Sequence, residues 1–104
     1  MESRGLFIEA IDEGLSALGS ATKEIIYRIL QNDYGIAKES LPEKLAELSE
    51  ILRLAFGAGA DSILQYIIER FYIKLQVTPP SWTNLNEAVE LVQGILRAGI
   101  AKDH

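Results

Sequence analysis

Carboxylates are the side chains whose spacing first suggests chemistry. Glu9, Asp12 and Glu13 share one face of a helical stretch, and Glu43, Glu47 and Glu50 share another. Such groups can move protons or hold a divalent cation. Both sets lie on the polar side of an amphipathic segment, with no apolar neighbour placed to strip water from them, so they read as solvated faces. The run Asn32-Asp33-Tyr34-Gly35 lacks the spaced oxygens and the closing glutamate of a calcium loop. Gly14-Leu-Ser-Ala-Leu-Gly19 has the outline of a phosphate loop. That loop needs a lysine directly after its second glycine and a strand ahead of it. Here the position holds Ser20 and a helical pattern precedes it. A corner between two helices is the better reading, with a weak anion site beside Lys23 left open.

Nucleophiles fare no better. Ser16, Ser20 and Ser40 have no histidine or lysine partner at a motif spacing. Tyr27, Tyr34, Tyr66, Tyr72 and Trp82 carry polar tips, but at the spacing of core or interface packing. The chain has no cysteine, and its one histidine is His104. Disulfides, thiolate metal sites, cysteine nucleophiles and histidine triads are excluded together. No catalytic residue, cofactor or metal is therefore expected. Ten basic residues against fifteen acidic ones give a net charge of −5, which repels phosphate backbones. Lys23 and Arg28, and then Arg70 and Lys74, form no stripe with interleaved aromatics. Short helices at glycine turns are nonetheless what helix-turn-helix DNA readers use.

The elements that hold these residues are helical throughout, because the apolar residues recur at threes and fours rather than twos. A first helix over about 3–18 carries Leu6, Phe7, Ala10, Ile11, Leu15 and Leu18 on one arc, with Gly14 inside it. A mid-helix glycine costs about 1 kcal/mol against alanine, and close approach by another helix would justify it. Gly19 reads as a left-handed stop and Ser20 as the next cap. A second helix over about 21–34 ends at Gly35, with Ile36 folding back. Pro42 suits the first position of a third helix, whose stripe is Leu45, Leu48, Ile51, Leu52, Ala55 and Phe56. Gly57-Ala58-Gly59-Ala60 turns the chain. A fourth helix over about 61–77 has a main arc and a second, narrower stripe of Tyr66, Ile73 and Val77. That stripe must meet either a neighbouring helix or another chain. Thr78-Pro79-Pro80-Ser81 is a stiff spacer. A last helix starts at Asn84 with Glu87 three residues on, a capping-box pattern, and stops at Gly99.

The chain's 104 residues suit one domain, and 48% hydrophobic with 24% charged residues is enough for both a core and a wetted surface. The expectation is all-α: a bundle of about five helices, with a core unit over 3–77 and a docking helix over 83–100. The start, Met-Glu-Ser-Arg-Gly, lacks the ordered features of a secretory signal, and no window approaches 18 uninterrupted apolar residues. A cytoplasmic setting without a membrane helix is expected.

An ordered series of short motifs runs through about residues 10–77. It comprises Gly14-Leu-Ser-Ala-Leu-Gly19, Lys23 with Ile26-Tyr27 and Leu30, Tyr34-Gly35-Ile36, Leu41-Pro42, Phe56-Gly57-Ala58-Gly59-Ala60 and Tyr72-Ile73-Lys74-Leu75. The series resembles a small archaeal all-helical domain of unknown function, the Nitrosopumilus output domain type. Leu41-Pro42 stands where Ile-Pro is usual, and Trp82–His104 lies beyond the resemblance. The resemblance implies a helical module that stands alone or sits at the output end of signalling proteins. It transfers no catalytic residue.

Apolar surface in excess of what one small globule hides points to a non-catalytic interaction or signalling-output module, working as a homodimer. Tyr66, Ile73 and Val77 are the expected contact residues, with Trp82 and Ile95 as candidates from the tail. The last helix could instead cover that stripe within one chain. Two alternatives stand beside this: a sensor with a small apolar ligand in a cavity near Gly14, and a DNA-binding regulator.

Overall fold

The computed structural model describes residues 3–102, so His104 lies outside the described residues. It is an all-α bundle. Five helices follow one another: α1 (Ser3–Ser16), α2 (Ser20–Tyr34), α3 (Leu45–Phe56), α4 (Ala60–Leu75) and α5 (Leu85–Lys102). Two 3-10 turns, Lys38–Glu43 and Gly57–Gly59, join α2 to α3 and α3 to α4. No strand occurs among the described residues.

Helix α1 is the hub, packed against α2, α4, α5 and the first 3-10 turn. Its apolar arc of Phe7, Ala10, Ile11 and Leu15 is fully buried. Ion pairs from Glu13 to Arg70 and from Glu9 to Lys74 run α1 and α4 antiparallel. Gly14 sits at their closest approach. A β-carbon there would strike Ile67 Cγ1 and lie 3.2 Å from its Cδ1, so the glycine exchanges helix propensity for room to seat the Ile67 side chain. Phe7 meets Phe71 edge-on, with ring centres 5.1 Å apart, the arrangement aromatic quadrupoles favour.

Several boundaries differ from the sequence expectation, each for a local reason. Helix α1 stops at Ser16 rather than Leu18, closed by Leu18 N–H donating to Leu15 and Gly19 N–H to Ser16. Gly19 is not a left-handed stop. At φ 107° and ψ 144° it caps α2, in a region only glycine enters freely, and Ser20 is already helical. Gly35 does take the left-handed conformation, and Ile36 folds back into the core, its N–H donating to the Leu30 carbonyl at 2.9 Å. Pro42 does not open α3. It is buried in the 3-10 turn, where its fixed φ fits equally well, and Lys44 separates the two elements with non-helical dihedrals.

Helix α4 ends at Leu75, because Gln76 enters the left-handed region at φ 62°. Its N–H donates to Ile73 and Tyr72, and Val77 N–H donates to the Tyr72 carbonyl at 3.3 Å. This is a Schellman closure without glycine. Asn84 caps α5 as its spacing implies: Glu87 N–H donates to Asn84 Oδ1 at 2.9 Å. The reciprocal bond is displaced by one residue, with Thr83 N–H donating to Glu87 Oε1 at 2.6 Å. Gly99 does not stop α5, which continues to Lys102. A helix can pass a glycine at about 1 kcal/mol. Nothing in the structure explains Gly94, which faces open space.

One core unites the elements. Ala88, Val92 and Leu96 of α5 are buried in it beside α1 and α4, so the last helix docks on its own chain. Leu91 of α5, though apolar, is exposed. The expectation about membrane-length segments also needs correcting. By length and composition alone, the helical run Leu45–Leu75 is long and apolar enough to cross a membrane. An uninterrupted apolar run is too strict a criterion, since scattered charges do not prevent a high average. In the fold the run is divided by the Gly57–Gly59 turn, and both halves contribute to the core.

Candidate interaction surface

Two kinds of surface remain once the core is assembled: a polar seam along α1 and two uncovered apolar patches. The seam gathers four of the six carboxylates that the sequence offered as solvated, Glu9, Asp12, Glu13 and Glu43, and leaves out Glu47 and Glu50 of α3. Asp12 accepts from Lys38 Nζ at 3.1 Å, Tyr27 Oη at 3.1 Å and Lys23 Nζ at 3.4 Å, and so ties α1 to α2 and to the first 3-10 turn. Burial alone would raise the Asp12 pKa, but the bonds and charges of Lys38, Tyr27 and Lys23 outweigh it and hold the group below its ordinary 3.8. The Tyr27 hydroxyl moves the other way, raised by its own burial and by the Asp12 charge.

On the opposite side, Glu13 receives Lys74 at 2.6 Å and Arg70 at 3.0 Å, and Glu9 shares the same lysine at 3.4 Å. The Lys74 bond holds Glu13 below its ordinary value against the opposing effect of burial, and the Arg70 bond lowers it further. Arg4 grips Glu43 with two nitrogens, at 2.8 and 2.7 Å, and reaches the Glu39 carbonyl at 2.7 Å. These carboxylates are thus clamps between elements rather than free faces. Lys23, Lys38, Arg70 and Lys74 are each paired with one of them. Among the described residues no three ligating side chains converge as a metal site.

The space directly over Gly14 is filled by the Ile67 side chain rather than by an apolar cavity. Among the described residues one buried polar atom has no partner: the Tyr72 hydroxyl, enclosed in the core with Trp82 stacked on its ring at 6.2 Å and 26°. Burial raises its pKa.

The contact residues expected from sequence divide into two groups. Tyr66, Ile73 and Val77 are 43%, 57% and 52% exposed along the outer side of α4 and its cap. Tyr66 and Ile73, seven residues apart, share one helical face, and Val77 follows the left-handed Gln76 beyond the end of that helix. Trp82 and Ile95 do not join them. Both are half-buried against their own core, because α5 docks within the chain and draws its linker in with it. The stripe on α4 stays uncovered all the same.

A second patch was not anticipated. Leu54 is 76% exposed, the most of any large apolar side chain among the described residues. It borders a groove of about 300 Å³ between α2 and α3, lined also by Ile29, Asp33, Tyr34, Ile51 and Ala55. The signal lay in two places. Leu54 stands on the polar side of α3 next to Arg53, and the apolar residues of α2 cover more of its wheel than one core can bury.

No family model, curated protein or solved structure matches this chain.

Proposed function

We propose that the protein is a non-catalytic interaction module that pairs with a second copy of itself through the outer face of α4, as an output element in signalling. The observation that supports this is the exposure of Tyr66, Ile73 and Val77 after α5 has already docked in cis. The segment most able to hide that stripe is used elsewhere. A two-fold axis beside Ile73 would lay the stripe on its own counterpart, and such self-complementary pairing is the commonest closure of soluble oligomers. The resemblance over about residues 10–77 supports the output role. Its non-catalytic character rests on composition: no cysteine, one histidine at the last position, and carboxylates engaged as clamps. A cytoplasmic setting accords with a chain that has no disulfide to form.

Light scattering across a concentration series tests the pairing. The expected mass rises from 11.5 kDa towards twice that value, and Ile73→Glu, at a position exposed enough to keep the fold, holds it at the lower limit. A wild-type mass fixed at 11.5 kDa at every concentration would end the proposal.

A further inference from the structure

We infer that the groove between α2 and α3 is a docking site for an amphipathic helix of a partner protein, one whose apolar side chains are flanked by lysine or arginine. The apolar floor is Ile29, Ile51 and Ala55, with Leu54 standing at the edge and Tyr34 at the end. An open trough between two helices matches the way a helix presents side chains at i, i+3, i+4 and i+7. Its volume, about 300 Å³, is at the small end for enclosed ligand pockets, typically about 300–1,000 Å³, and suits inserted side chains better than a free molecule.

Charge selects the partner. The only ionised group in the lining is Asp33. Glu50 adjoins it, accepting from the Tyr34 hydroxyl at 3.5 Å. Helix α2 ends here with no basic residue in its last turn, so its carbonyl end adds negative potential. A second copy of this chain is a poor occupant. Its own free stripe on α4 is bordered by Glu69, while Arg70 and Lys74 of that helix are held by Glu13 and Glu9. A cationic amphipathic segment meets both requirements at once, burying Leu54 and facing Asp33 and Glu50. The site lies on α2 and α3, so it does not depend on pairing through α4.

The test uses the full chain and two labelled helical peptides with leucines in the same register, one with lysines on the polar positions and the other with glutamates. Fluorescence anisotropy gives affinities, and amide chemical shifts locate the contact. The lysine peptide is expected to bind with shifts centred on Ile29, Ile51 and Leu54. Leu54→Glu is expected to weaken it at least about tenfold, and Asp33→Lys with Glu50→Lys to reverse the preference between peptides. Ile73→Glu and the remote reversal Glu90→Lys should leave it unchanged. Because the chain is acidic overall, diffuse attraction is the rival explanation. Equal losses from Glu90→Lys and from the groove reversal, indifference to Leu54→Glu, or no binding of the lysine peptide at low salt would each overturn the inference.

Discussion

Protonating Asp12 releases three partners at once, because Lys23, Lys38 and the Tyr27 hydroxyl all converge on its carboxylate. Its pKa, and that of Glu13, lie below the ordinary values of 3.8 and 4.5. The folded chain therefore binds fewer protons than the unfolded one in this range. The stability so gained is complete above the unfolded values and is lost as pH falls through the folded ones. Lys74 and Tyr27 are raised from 10.5 and 10.0. Their contributions are complete at neutral pH and fade as pH climbs past those values. Thermal midpoints measured against pH are expected to fall below about pH 4 and again in strong alkali. Asp12→Asn should cost about 1 kcal/mol at pH 7, a fall of about 4–8 °C for a domain of this size, and flatten the acid limb. An unchanged acid limb in that variant would contradict the role assigned to Asp12. The clamp was not legible in the sequence. Its partners lie 11, 15 and 26 residues away, and nothing in a helical wheel says which cation will be folded over which carboxylate. Gly14 was legible, because a glycine inside an apolar arc has few other physical explanations.

The closure of α4 relies on a residue poorly suited to it. Gln76 holds a left-handed backbone at φ 62°, which costs a residue with a β-carbon roughly 1–2 kcal/mol. Gln76→Gly is expected to raise stability by about 1 kcal/mol, read as a higher thermal midpoint at unchanged helical signal. A lower midpoint would mean that the glutamine side chain contributes something its exposed position does not suggest. Without a glycine as a marker, periodicity alone extends α4 to Val77. Gly99 misleads in the opposite way: a glycine is present where the helix simply continues. Ends marked by a specific chemistry were read well, as at Gly35-Ile36 and at Asn84 with Glu87. Ends decided by tertiary packing were not. Which apolar residues stay uncovered was only half visible. The second stripe of α4 followed from its wheel, whereas the exposure of Leu54 depends on how α2 and α3 leave space between them.

At the scale of the molecule, one apolar core gathers residues from every helix. A radius of gyration of 13.1 Å matches the roughly 13 Å of a compact chain this long. The surplus of apolar side chains is therefore not spread evenly. The tail helix docks on the globule, and much of what remains lies at the outer side of α4 and along the α2–α3 groove, with Ile25 of α2 and Leu91 of α5 exposed besides. Trp82 sits where that docking begins, on the stretch between the proline pair and α5, and it is the chain's single tryptophan. Its indole stacks on Tyr72 at 26° with ring centres 6.2 Å apart, so its fluorescence is an unlabelled gauge of whether this stretch stays docked. Because α5 follows the proline linker and its buried core residues are Ala88, Val92 and Leu96 alone, it should peel away before the rest opens. In a denaturant titration the indole emission is then expected to shift to the red at lower concentration than the far-ultraviolet helical signal declines. Coincident curves would show instead that tail and globule open as one cooperative unit.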